Sequence, residues 1–402
     1  MKRGLLALPI LVLFLCASLA WFLGWPASLW ARDSVSVLLI GQTQGGMADR
    51  DQAVQGLIRQ ALERKAEQQG LSLSLHGLDS TRPIAELQQA LDELGDIDVA
   101  IGCADSVCVR HILPLLEARE ISLIYPGSSE GLFDSSALIH LGLVANQYLF
   151  PAVSWVQQHL GADLFYLGSE SARSRMLGRM LNSQLLPATG LPLIGEEYVG
   201  TLEQLPSLAD KILTYQPDVL MIDACEWFER PEFVRMLASV PARKFSLCVD
   251  QRPPLNVDMY FVSHYYDNVH NPVNLRLKER ISHPDGIAIM ALAAVDFFIA
   301  AHGHKSTSVV ERVTDQLRGR NALTASGSMA VDFQNAASWH SVFIGRHTGQ
   351  KEQLLWVSQG LMRPVMFPGL EAPSDWQHHL TIYWRNNGGL WRSGSVQGEP
   401  WL

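Results

Sequence analysis

The sequence predicts an α/β protein: two lobes, each built on a doubly wound parallel sheet. Three observations predict the two sheets. Short apolar runs alternate with stretches of helical apolar spacing, the order that builds parallel sheets. That alternation occurs as two successive series of similar size, with joints near 142–146 and 263–272. Two strand ends also deliver small polar groups and an aromatic to one sheet edge, through IGCADS at 101–106 and YPGSSEG at 125–131. In open α/β sheets that edge is where ligands bind. The length, 402 residues, exceeds one compact core and suffices for two lobes.

Taken in order, Ser34–Gly41 (SVSVLLIG) reads as a buried strand. Val54, Leu57, Ile58, Ala61 and Leu62 space a helix over 51–69, closed by Gly70. A strand at 71–75 and a helix at 83–94 follow. Strands at 98–102, 122–125 and 138–141 come next, with a helix at 108–118 between the first two. The second series runs helix 146–159, strand 163–167, helix 174–185, strand 196–199, helix 205–214, strand 218–223, helix 231–237, strand 245–249 and strand 258–262. The apolar run 287–301 is short for a membrane span and carries Asp296, so a buried core helix is expected. A helix over 309–319, strands at 331–333 and 342–345, and a turn at Thr348-Gly349 leading to strand 353–357 complete the ordered part. From 373 onward no periodicity is visible, and the tail 371–402 is expected to be irregular. The lobes are expected to comprise 34–144 with about 267–330, and 145–266 with about 331–370.

The first 31 residues read as separate from the fold. Lys2 and Arg3 precede an apolar run from Gly4 to about Trp30, with the cationic end on the cytoplasmic side. A cleaved export signal and an uncleaved inner-membrane anchor over 4–30 both satisfy this pattern, and either places the remainder in the periplasm. The net charge of −9, without a basic cluster, argues against a nucleic-acid partner. Cys103, Cys108, Cys225 and Cys248 remain in the exported part. Four buried free thiols are the expectation, with bridges Cys103–Cys108 and Cys225–Cys248 as the alternative that an oxidising compartment permits. No Cys/His spacing suggests zinc, and His302, His304, His378 and His379 lack a carboxylate in their pattern. No metal, cofactor or nucleotide loop is expected.

IGCADS at 101–106, YPGSSEG at 125–131, Ala145-Asn146-Gln147, FYLGSE at 165–170, VSHYY at 262–266 and FIGRHTGQ at 343–350, in that order and spacing, resemble the type I periplasmic-binding-protein superfamily. The resemblance is to the branch of urea- and amide-binding receptors and the amide sensor of amidase regulation, and it covers about Val35 to Pro368. It implies two lobes on a three-strand hinge that close on a small solute. It also implies a partner, an ABC permease or a membrane sensor kinase. The chain departs from that branch where an aromatic lid is expected: Gly168-Ser169-Glu170 is followed by Ser171 and Arg173, and Tyr125-Pro126 by Gly127, Ser128 and Ser129. A guanidinium at a cleft favours planar acceptors such as carboxylates. An amide or urea, an amino acid or a short carboxylate are therefore the expected solutes.

The candidate ligand-binding residues are Asp105, Ser106, Tyr125, Gly127, Ser128, Ser129, Ser171, Arg173 and Tyr265. Each has a structural reading beside the functional one. Ser106 serves equally as a helix N-cap, Tyr125 as a plug of the sheet edge, and Arg173 as a solvated residue near a helix N-terminus, where the dipole demands some partner. Glu130 reads as a structural ion-pair member. No nucleophile with its base stands out, so no enzyme is expected. The alternative is a hydrolase on an α/β scaffold, for which His264 near Cys225 is the pair to inspect.

Overall fold

The computed structural model describes residues 34–185, 190, 193–254, 256–302, 312–349 and 351–392. The expected leader or anchor lies outside these residues, as does His304. The first series forms strands β1 (Ser34–Gly41), β2 (Ser72–Asp79), β3 (Val99–Gly102), β4 (Leu123–Tyr125) and β5 (Leu138–His140). Between them run helices α1 (Ala48–Gln69), α2 (Ile84–Leu94) and α3 (Ser106–Glu117). All four pairings are parallel, in the order β2-β1-β3-β4-β5. β1 is apolar and buried from Val37 to Gly41 because both its faces are covered there. Val37 and Leu39 meet Ile58 and Leu62 of α1 on one side, while Leu38 and Ile40 meet the core of α2 and α3 on the other. Gly70 ends α1 with φ of 68°, the left-handed conformation that glycine enters without penalty.

The second series is α4 (Ala145–His159), β6 (Leu164–Ser169), α5 (Ala172–Met180), β7 (Leu193–Val199), α6 (Leu205–Tyr215), β8 (Val219–Asp223), α7 (Pro231–Ser239), β9 (Arg243–Ser246) and β10 (Met259–Ser263). The chain then returns to the first lobe as α8 (Pro272–Lys278), α9 (Gly286–His302), α10 (Val313–Leu317) and a small sheet of β11 (Asn321–Thr324), β12 (Gly327–Val331) and β13 (Ser338–Trp339). Last come β14 (Phe343–Thr348) and β15 (Lys351–Val357), which complete a sheet of order β15-β14-β10-β9-β8-β6-β7. Helix α9 packs its apolar surface on α1 and the first sheet, and the exposed Asp296 pairs with Lys65 at 2.6 Å. Among the described residues no helix is long and apolar enough to cross a membrane.

Three passages join the lobes, at 141–144, 264–271 and 340–342, and each begins beside or at a fully buried histidine: His140, His264 and His340. Each ring Nε2 faces a backbone carbonyl: Gly127 at 2.9 Å, Gly286 at 3.1 Å and Leu141 at 2.6 Å respectively. The rings of His264 and His340 lie 5.4 Å apart. Burial lowers all three from the ordinary imidazole value, His140 to about 4 and His340 to about 3, the latter assisted by its neighbour His264. They are neutral imidazoles at pH 7.

Three expectations are corrected. The tail contains a helix, α11 (Pro373–Asn386), whose Trp376, Leu380 and Tyr383 are buried against the second lobe's core. The three sit at i, i+4 and i+7, one face of a helix. The strand expected at 331–333 ends at Val331, where Asp332 begins a turn by accepting from the N–H groups of Gln334 and Asn335. The four cysteines are not free thiols: Cys103 is bonded to Cys108 and Cys225 to Cys248. Their Cα atoms lie 5.6 and 5.4 Å apart, within disulfide range.

Candidate functional site

The carboxyl ends of the parallel strands in both sheets face one cleft. On the first lobe's wall, Asp51 of α1 is fully buried and accepts from the backbone N–H of Gln42 at 3.2 Å and of Ala104 at 2.8 Å. It thereby holds together the loops after β1 and β3. Burial, with the Asp105 carboxylate next in effect, pushes its carboxyl up to about 8, so it is protonated at pH 7. The turn after β3 is tight: Gly102 has φ of 149°, and a Cβ there would meet the Ile40 carbonyl oxygen at 2.0 Å. Asp105, not Ser106, is the N-cap of α3, accepting from the Cys108 N–H at 2.9 Å. Its side chain also accepts from the Gln42 amide at 3.2 Å. In the loop after β4, Ser128 donates through its N–H and hydroxyl to Asp250, at 2.7 and 2.8 Å. Asp250 stands in the loop after β9, so this pair clasps one lobe to the other.

The second lobe's wall begins at Ser171, which caps α5 by accepting from the Ser174 N–H at 3.2 Å. Arg173, two residues on, sits where the helix dipole opposes a cation. Its partner is Asp223 at the end of β8, at 2.8 Å. Asp223 also accepts from Ser174 at 2.6 Å and Tyr166 at 3.3 Å, so the buried carboxylate is fully solvated by protein. Burial works against the guanidinium's charge, but Asp223 holds its pKa well above the ordinary value. The Cys225–Cys248 disulfide ties the end of β8 to the loop after β9 and lines the cleft. Glu226 follows, accepting from Ser169 at 2.8 Å.

A third contributor is the segment after α11. The Ala172 N–H donates to the Trp391 carbonyl at 2.8 Å, and Arg392 bridges to the backbone of Ser171. The Arg392 guanidinium then lies between the lobes, 2.6 Å from Asp105 of the first and 3.5 Å from Glu226 of the second. Burial opposes its charge, and those two carboxylates hold its pKa above the ordinary value. Around it remains a cavity of about 40 Å³, lined among others by Arg50, Asp105, Ser128, Ser171, Arg173 and Asp250. That is room for a few waters, well short of the several hundred Å³ typical of sites for organic ligands. Among the described residues no cluster of metal-ligating groups occurs.

Of the residues singled out from sequence, the cavity brings together Asp105, Ser128, Ser171 and Arg173. Arg173 lines the cavity with its guanidinium already paired to Asp223. Ser106 is fully buried in the first turn of α3. Tyr125 is fully buried too, stacked on His140 with ring centroids 4.9 Å apart, and donates to the Ser128 carbonyl at 2.8 Å. It is the plug of the sheet edge. Gly127 allows close packing, since a Cβ would meet the Ala104 carbonyl oxygen at 2.6 Å. Ser129 pairs its N–H with the Leu143 carbonyl and its hydroxyl with the Gly131 N–H. Tyr265 turns away from the cavity to hydrogen-bond Asn274 at 2.9 Å. Glu130 pairs with Arg110, as read from sequence. Arg50, Glu226, Asp250 and Arg392 were not foreseen. Their signal in the sequence is position alone: beside strand ends for Glu226 and Asp250, in the first turn of α1 for Arg50, and in an apparently shapeless tail for Arg392.

A family model described as a periplasmic binding protein domain matches residues 38–225. Solved structures share the fold over nearly their whole length. A solute-binding protein of an ABC transporter from Rhodopseudomonas palustris, in complex with 3,4-dihydroxybenzoic acid, is 13% identical, with a TM-score of 0.68 over 83% of this chain and 99% of that one. A leucine-binding protein from Thermotoga maritima is 16% identical, with a TM-score of 0.64 over 80% and 98%. A leucine-, isoleucine-, valine-, threonine- and alanine-binding protein from Brucella ovis, in a closed conformation, is 10% identical, with a TM-score of 0.68 over 81% and 95%. A search of curated proteins finds no match. The fold is that of the type I periplasmic binding proteins, and the matched proteins are non-enzymatic solute binders. The hydrolase alternative gains nothing from the site: Cys225 is in a disulfide, and His264 faces the Gly286 carbonyl.

Proposed function

We propose that this chain is a periplasmic solute-binding protein that traps a small polar organic solute between its lobes. The observation that carries this reading is the cavity whose wall is built from both lobes, with polar groups from the carboxyl ends of both sheets. Two disulfides support an oxidising compartment. The output is delivery to an ABC permease, as for the transporter components that share the fold; a membrane sensor partner, with residues 4–30 as anchor, is the second form of the same reading. Amides, amino acids and short carboxylates remain the solute classes to test. The neutralised Arg173 weakens the case for carboxylates.

Thermal shift of residues 32–402 against acetamide, urea, leucine, arginine, agmatine and benzoate tests the proposal. A ligand at a hundredfold excess over Kd stabilises a protein by about 2.7 kcal/mol. A saturable shift with one class supports the reading. Flat melting curves with all of them, in the native chain and with Arg392 replaced by Ala, overturn it.

A further inference from the structure

The cleft carries a charge pattern that the fold alone does not explain. Its lining holds three guanidinium groups, Arg50, Arg173 and Arg392, and three carboxylates, Asp105, Glu226 and Asp250. Two of the arginines are neutralised from behind the wall. Arg173 pairs with Asp223, and Arg50 pairs with Asp285 at 3.3 Å, neither carboxylate being part of the lining. Arg392 alone pairs with carboxylates of the wall itself, one from each lobe. Without it, Asp105, Glu226 and Asp250 would face the cavity with no guanidinium left to balance them. Arg392 also reaches its seat on the last described turn of chain, held at that point by the backbone pairing with Ser171 and Ala172.

We propose that the segment ending in Arg392 is a tethered occupant of the cleft. Its guanidinium marks the place of the cationic head, guanidinium or primary ammonium, of the solute that displaces it. This rests on the solute-binding reading above and names the class of solute. Two physical reasons favour it. With Arg392 in place, the remaining 40 Å³ is too small for a solute the size of agmatine or leucine, so in this arrangement such a solute fits only where the arginine now sits. Once it leaves, two desolvated carboxylates drawn from opposite lobes select a cation and reward closure, since neither lobe alone supplies both. The tether acts as a competitor at an effective concentration in the millimolar range typical of short linkers. It raises the threshold at which solute fills the cleft.

The test is titration calorimetry with agmatine as the cationic probe, and with benzoate and leucine as comparators. It uses the native chain and the variants Arg392→Ala and Arg392→Lys. The expected result is an agmatine Kd at least tenfold lower for Arg392→Ala than for the native chain, with Arg392→Lys close to native and benzoate unaffected. Asp105→Asn in the Arg392→Ala background should abolish the gain. An agmatine Kd unchanged or raised by Arg392→Ala overturns the proposal. Tight binding of benzoate or leucine without any of agmatine overturns it too, yet leaves the solute-binding reading standing. No binding of any probe by any variant overturns both.

Discussion

The two lobes meet through two buried polar regions that solve the same problem in opposite ways. In the cleft, each of the three guanidinium groups is matched with carboxylates: Arg173 with Asp223, Arg50 with Asp285, Arg392 with Asp105 and Glu226. At the passages, the polar groups are neutral imidazoles bonded to backbone carbonyls. Charged pairs can exchange partners with a solute or with water, provided the total charge stays balanced. Neutral imidazoles cannot take up a proton without breaking into a low-dielectric region. The cleft is built for exchange and the passages for permanence.

The strongest way to break this comparison is Asp223→Asn. It leaves the Arg173 guanidinium buried and uncompensated, and should cost about 4 kcal/mol in urea unfolding. A cost under 1 kcal/mol would show that the pair is wet and exchangeable like its neighbours. Next, replacing Cys225 and Cys248 by Ala opens a loop of sequence separation 23 and should cost about 3 kcal/mol, against about 2 for the Cys103–Cys108 pair of separation 5. Equal losses would sink the loop-length argument.

At the passages, the folded pKa of His340, about 3, lies below the unfolded value of 6.5. The unfolded state therefore binds the proton first, and stability that is full above pH 6.5 is lost as pH falls toward 3. Asp51 acts the other way, since its raised folded pKa favours the folded state as pH falls. Comparing variants removes that term. His340→Gln places an N–H donor near the Nε2 position for the Leu141 carbonyl and should flatten the loss between pH 6.5 and 4 by about 3 kcal/mol relative to the native chain. Parallel curves would mean the ring is protonated in place. The smallest effect belongs to Arg392→Ala: about 1 kcal/mol in Tm-derived stability at pH 7, because the two buried carboxylates it leaves face the cleft and regain water as the lobes part. A loss of several kcal/mol would make Arg392 a structural staple instead of an occupant.

The alternating order was legible because buried parallel strands leave near-continuous apolar runs; β1 was read to the residue, and Gly70 by its place after a helical stripe. The walls of the cleft were half legible. Asp105, Ser128, Ser171 and Arg173 stand just beyond strand ends, where the fold class points. Their partners do not. Asp223 lies 50 residues from Arg173 and Arg392 lies 287 from Asp105, and no local pattern announces such pairs. Helix α11 was hidden for another reason. Its stripe of Trp376, Leu380 and Tyr383 is set among His, Thr and Asn, which dilute the apolar signal. The Cys225–Cys248 bridge required knowing that the ends of β8 and β9 are neighbours, which the sheet order settles and spacing does not.

The placement of the three histidines bears on how the cleft can open. In a rigid rotation each atom moves in proportion to its distance from the axis, and the axis of a two-lobe molecule runs through its connecting passages. His140, His264 and His340 therefore sit on the shortest lever arms. A swing that opens the far rim of the cleft by several ångströms shifts the imidazole–carbonyl contacts by only a fraction of that. Those contacts act as a bearing, intact through the whole stroke, and fix the angle to which the lobes return when the cleft is empty.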